Sequence, residues 1–197
     1  MTESSIGAES SSAKRIWYMI KTMKALVLVG SNDLRIQEIP LPILGVDDVI
    51  VRVKACGICG SDVHGMDGST GRRIPPLVMG HEAAGTVAEV GARVQGWHLG
   101  DRVTFDSTIF CGECWYCRRG LINLCDRRRV LGVSCAEYHQ DGAFAEYVAV
   151  PARILYRLSE TVSFEQAAMV EALSIAMHAV RRSPPALDDK CVVVGAG

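Results

Sequence analysis

The stretch CGECWYCRRGLINLC places Cys111, Cys114, Cys117 and Cys125 within fifteen residues. Four thiolates so closely spaced can wrap one ion tetrahedrally with bonds of about 2.3 Å, and a four-cysteine shell leaves no position for a substrate. A structural zinc is the expected occupant. A redox pair, an iron–sulfur cluster and loose surface thiols are the competing readings. Reduced free cysteines in a loop bearing Gly and Arg would be oxidation-prone, which disfavours chance placement.

A second set is spread more widely: CGICGSDVH over Cys56–His64, GHE over Gly80–Glu82, and Glu171 on a predicted helix. One Cys, one His and one or two carboxylates from separate elements form the three-ligand set that leaves zinc an open position for chemistry. Taken singly, His81 also reads as a hydrogen-bonded turn residue and Glu171 as a surface charge. The order of the motifs favours the metal.

These groups need a scaffold of short strands. Apolar or alternating runs rich in Val and Ile occur at KALVLV, LRIQEI, DVIVRVKA, GTVAEVG, DRVTF and AFAEYVAV, each bounded by Gly, Pro or Asp. Residues 24–158 therefore read as mostly β. Residues 163–182 read as a helix, continuous or broken, because Ser163 stands three before Gln166 and Arg181 and Arg182 close the run. Pro184 and Pro185 stop it, and a closing strand is predicted over Cys191–Val194, followed by Gly195 and Gly197.

The chain has 197 residues, of which 49% are hydrophobic, enough for one domain or one domain and the start of another. Twenty-one basic against 22 acidic residues give a net charge of -1, so electrostatics suggest neither nucleic acid nor an anionic membrane as partner. A small molecule is the expected partner. Residues 1–22 read as a disordered or over-long N-terminal extension. Their apolar clump Ile16–Ile20 falls short of a signal-peptide core of about 7–15 residues or a membrane span of about 20. A reducing cytoplasm is expected, and eight cysteines there argue for metal rather than disulfides.

GHEAAGTVAEVGARV repeats the Gly-His-Glu pattern of the zinc-containing alcohol dehydrogenases of the medium-chain dehydrogenase/reductase superfamily. With ACGICGSDVH before it, and the four-cysteine lobe, DGAFAEYVAVP and VVVGAG after it, the chain resembles that family over residues 24–197. The resemblance implies a mainly β fold with few helices, a GroES-like β-barrel catalytic domain over 23–184 with its zinc lobe at 106–129. Residues 185–197 would then open a nucleotide-binding domain of Rossmann type, with Gly195 and Gly197 at the cofactor turn.

The resemblance further implies that Cys59 and His81 ligate a catalytic zinc, with Glu82 as alternate ligand or close neighbour. Asp62 would orient His81, and Ser61 and His64 would relay a proton. No cysteine stands between Cys135 and Cys191; the stretch resembles the polyol and sorbitol branch, which implies Glu171 at the remaining ligand position, although Ala172 replaces that branch's usual proline. Gly60, where familiar alcohol dehydrogenases often carry a basic residue, points the same way. Cys56, Cys135 and Cys191 are expected to pack as small hydrophobes, and His178 as a core histidine.

The implied activity is reversible oxidation of a secondary alcohol or polyol, with two zinc ions per chain and hydride transfer to NAD or NADP. A homodimer or homotetramer is expected for the complete enzyme. The 197 residues alone would be inactive and would leave apolar surface uncovered. A threonine-dehydrogenase-like member, a non-catalytic zinc-binding fragment and the zinc-free quinone-reductase branch are the alternatives.

Overall fold

The computed structural model describes residues 22–194. Residues 1–21 of the predicted N-terminal extension and the turn glycines Gly195 and Gly197 lie outside the described residues, while Thr22, the last residue of that extension, begins the first strand. Among the described residues twelve strands are present: β1 Thr22–Gly30, β2 Asp33–Pro40, β3 Asp48–Gly57, β4 Leu77–Val78, β5 Glu82–Val90, β6 Arg102–Phe105, β7 Thr108–Ile109, β8 Arg129–Val130, β9 Val133–Ser134, β10 His139–Gln140, β11 Tyr147–Pro151 and β12 Leu155–Arg157. Three α-helices accompany them among the described residues: α1 Gly60–Gly65, α2 Phe164–Ala168 and α3 Val170–Arg182.

The main sheet is antiparallel in the order β11-β3-β5-β6-β12, and a smaller sheet has the order β2-β1-β4. Val49, Ile50 and Val51 of β3 are all buried, which explains why that strand reads as a continuous apolar run rather than an alternating one. Val51, Val103, Leu131, Val150 and Ile154 centre the core. Burying each such side chain contributes about 1.5–3 kcal/mol. Asn32, at φ 56°, turns the β1–β2 hairpin, a backbone region that Asn tolerates well.

All six predicted strand regions form ladders. The AFAEYVAV run departs from expectation at its start. Residues 143–146 bond to both sheets, with Leu26 N–H donating to Phe144 O and Val53 N–H to Glu146 O, so the ladder of β11 begins only at Tyr147. The segment thereby stitches the two sheets together. Residues 191–194, predicted as a strand, are exposed and carry no ladder among the described residues. Apolar sequence alone does not make a strand without a neighbouring backbone to pair with.

The predicted helix is two pieces broken at Met169, with the Ser163–Gln166 capping box formed in both directions. Ala167 and Ala168 of α2 are buried, and α2 packs on β3 and β5. No residue of α3 is buried, and Leu173, Ile175, Met177 and Val180 are exposed, as expected of uncovered apolar surface. His178 is exposed rather than packed in a core, and so is Cys191, because nothing among the described residues covers them.

Candidate metal centres

The main sheet brings the widely spaced motifs to one end. Gly57, the last residue of β3, pairs with Glu82, the first of β5. Cys59, two residues beyond β3, therefore stands beside His81 and Glu82. Their ligand atoms all lie within 4.8 Å of one another. His81 and Glu82 are buried and Cys59 is half-buried.

Each side chain is held locally. Gly80 has φ 90°, and a Cβ there would stand 2.5 Å from Phe144 Cδ1; glycine alone meets both demands at low cost. Residues 142–144 bond back onto Val78, Met79 and Gly80 at 2.7–2.9 Å, which fixes the approach to His81. Cys59 caps α1, its Sγ accepting from Ser61 N–H at 3.5 Å while its own N–H donates to Asp62 Oδ2 at 3.2 Å. One capping box thus orients the thiol and turns Asp62 inward. The sequence reading missed α1, since six residues are too few to show helical periodicity; Cys59 at the cap and Asp62 three residues on are its only signal.

Asp62 Oδ1 lies 3.5 Å from His81 Nδ1 and 3.4 Å from Arg73 Nη2, with all three side chains buried. Nδ1 facing Asp62 leaves Nε2 as the His81 donor available to a metal. Burial opposes the imidazolium, but Asp62 and Cys59 outweigh it and push the His81 pKa up to about 9. Burial likewise works against ionised Asp62, yet His81, the Cys59 N–H and Arg73 hold its carboxyl below the ordinary value. Cys56 stands apart from the cluster: burial pushes its thiol up to about 12 and it donates to Gly57 O.

Ser61 and His64 lie three apart on α1, both exposed. No hydrogen bond joins them among the described residues; Ser61 Oγ instead accepts from Arg73 Nη2 at 3.5 Å. Arg73 is the residue that sequence reading overlooked, and the Arg72-Arg73 doublet does not reveal which member is buried. Glu171, in the first turn of α3, is half-buried and accepts from Ser107 Oγ at 3.3 Å. The structure does not bring it into the Cys59–His81–Glu82 cluster.

The second centre lies in the loop between β7 and β8, where Cys117 opens one short 3₁₀ turn and Cys125 ends another. The ligand atoms of Cys111, Cys114, Cys117 and Cys125 also fall within 4.8 Å of one another. Cys111 Sγ and Cys117 Sγ are 3.9 Å apart, matching the ~3.8 Å edge of a tetrahedron with ~2.3 Å zinc–sulfur bonds. Backbone N–H groups of Cys111, Cys114 and Cys117 point at the sulfurs of Cys125, Cys111 and Cys114 at 3.2–3.5 Å. The Glu113 and Cys114 N–H groups draw the Cys111 thiol down to about 6, while burial and the neighbouring sulfurs push Cys117 up to about 12: four thiols this close do not all ionise without a cation among them, and metal binding requires the thiolates. Both donor sets fit zinc in type and spacing.

Residues 45–160 match the alcohol dehydrogenase GroES-like domain. The chain is 42% identical over 175 residues to a sorbitol dehydrogenase of Arabidopsis thaliana, covering 86% of this chain and 46% of that protein. It is 40% identical over 164 residues to an L-threonine 3-dehydrogenase of Symbiobacterium thermophilum, covering 81% and 45%. A crystal structure of a short chain alcohol dehydrogenase from E. coli CFT073 complexed with NADH superimposes with TM-score 0.75 at 36% identity, covering 84% of this chain and 47% of that one. Fold, matched domain and relatives define a GroES-like dehydrogenase domain. The chain belongs to the zinc-type alcohol and polyol dehydrogenase family of the medium-chain dehydrogenase/reductase superfamily. It spans about half the length of the curated relatives it matches. Among the described residues, no helix is long and apolar enough to cross a membrane.

Proposed function

We propose that residues 23–184 form the catalytic domain of a zinc-dependent NAD(P) alcohol or polyol dehydrogenase that oxidises a secondary alcohol to a ketone. The observation that carries this reading is the convergence of Cys59, His81 and Glu82, backed by Asp62, at one end of the main sheet. Zinc held there supplies Lewis acidity that lowers the pKa of an alcohol oxygen. Cys59, His81 and Glu82 hold the ion, Asp62 fixes the imidazole, and the exposed pair Ser61 and His64 carries the alcohol proton to solvent. Glu171, which accepts from Ser107 Oγ, is the further candidate carboxylate for the ion.

Cys111, Cys114, Cys117 and Cys125 hold the structural zinc. Residues 185–197, with Gly195 and Gly197, open the nucleotide-binding unit, where the hydride acceptor NAD or NADP binds. The free thiols suit a reducing cytoplasm, and the exposed apolar side chains of α3 suit a face covered in a homo-oligomeric enzyme. A threonine-dehydrogenase-like substrate is the second reading, favoured by the 40% identical relative.

Zinc content by mass spectrometry and NAD(P) reduction with an alcohol and polyol panel test the proposal on the full-length protein. Two zinc ions are expected, falling to one with loss of turnover in Cys59→Ser or His81→Ala. Full turnover with a single retained zinc overturns it.

A further inference from the structure

A charged side chain sits behind the candidate catalytic centre with no place in the chemistry above. Arg73 is 5% exposed, and its Nε has no hydrogen-bond partner among the described residues. Such burial is rare for arginine and implies a specific role for its charge. The side chain reaches its position under α1, where Gly65 makes room: a Cβ on Gly65 would stand 2.6 Å from Arg73 Cγ. The backbone is anchored as well. Ile74 N–H donates to Ser134 O at 3.0 Å and Ser134 N–H to Arg72 O at 3.2 Å, bracketing Arg73 against β9.

The guanidinium then has three contacts. Nη1 donates to Arg72 O at 3.2 Å, and Nη2 faces both Ser61 Oγ at 3.5 Å and Asp62 Oδ1 at 3.4 Å. Oδ1 is the same oxygen that faces His81 Nδ1. A single cation therefore touches both the carboxylate behind the histidine and the hydroxyl at the head of α1. It supplies the positive charge that offsets a buried aspartate beside Cys59 and Glu82.

We propose that Arg73 is a positioning residue of the metal site, holding the Asp62 carboxylate against His81 and filling one lone pair of the Ser61 hydroxyl so that its proton is directed elsewhere. This rests on the reading of Cys59, His81 and Glu82 as zinc ligands. Groups that orient a liganding histidine typically change metal affinity 10–100-fold when removed, as an order of magnitude, and Arg73 acts one contact further out.

Chelator competition and the visible spectrum after cobalt substitution read the site directly, on Arg73→Met and Arg73→Lys in the full-length protein. Arg73→Met is expected to weaken the ion at Cys59–His81–Glu82 by about tenfold and to shift its cobalt bands, with the four-cysteine ion unchanged; Arg73→Lys is expected to recover part of both. An unchanged affinity and spectrum in Arg73→Met, with only a lower melting temperature, overturns the proposal. If Arg73→Met does not fold, Arg73→Lys decides: weaker binding with shifted bands supports the proposal, and wild-type values overturn it. A wild-type protein that binds only the four-cysteine ion would instead defeat the underlying reading of the site.

Discussion

Asp62 Oδ1 stands 3.5 Å from His81 Nδ1 at the centre of a buried cluster. In the zinc-free protein this contact keeps His81 protonated well above its ordinary value of 6.5, up to about 9. The raised value makes its stabilisation complete below about pH 6.5 and lost as pH rises through about 9, an effect of at most about 3 kcal/mol. Chelated protein should therefore be more stable to denaturant at pH 6.5 than at pH 9.5, and Asp62→Asn should flatten that difference. A pH-independent midpoint across the window in the chelated wild type would contradict the geometry.

Zinc uptake at the same site should release a proton below pH 9, because the liganding imidazole must be neutral. Calorimetric titration at pH 7.5 in two buffers of different ionisation enthalpy reads the release. The Cys59 thiol also gives up its proton on binding, so the His81 share is read against Asp62→Asn, which lacks the carboxylate facing the imidazole and should release fewer protons. Equal release from the two proteins would show that His81 is already neutral.

The four-cysteine lobe should depend on its ion. Its turns bury only Cys125 among their cysteines, so little apolar packing holds them, and structural zinc contributes folding free energy directly. Cys114→Ala is expected to lose one zinc and several degrees of melting temperature, while Cys59, His81 and Glu82 keep their ion. Two zinc ions and an unchanged melting curve would refute the lobe assignment.

Gly80→Ala should be costly, because the new Cβ meets the Phe144 ring and the backbone at φ 90° is strained for alanine. A loss of about 1–3 kcal/mol is expected from the backbone alone, measured as a lower urea midpoint. Zinc affinity at His81 should fall with it. Wild-type stability would mean that the turn relaxes freely.

Ser163→Ala removes the side chain that accepts from Gln166 N–H. The expected cost is about 1 kcal/mol, seen as faster amide exchange through α2. A change below about 0.3 kcal/mol would show that packing of Ala167 and Ala168 alone holds the helix.

The four-cysteine spacing, the long strands and the helix start were legible in the sequence. Those signals are local: sulfur spacing within one loop, apolar alternation, and a serine three residues before a glutamine. Pairing was not local, and there tertiary structure decided. The contact of Gly57 with Glu82 across β3 and β5 brings Cys59 to His81, while the geometry of α3 leaves Glu171 on Ser107 instead. The same dependence explains why residues 191–194 read as a strand yet form no ladder, and why Arg73 was invisible among the arginines. A buried charge is recognised only by the partners and by the missing Cβ of Gly65 that admit it, and these are brought together only when the chain folds.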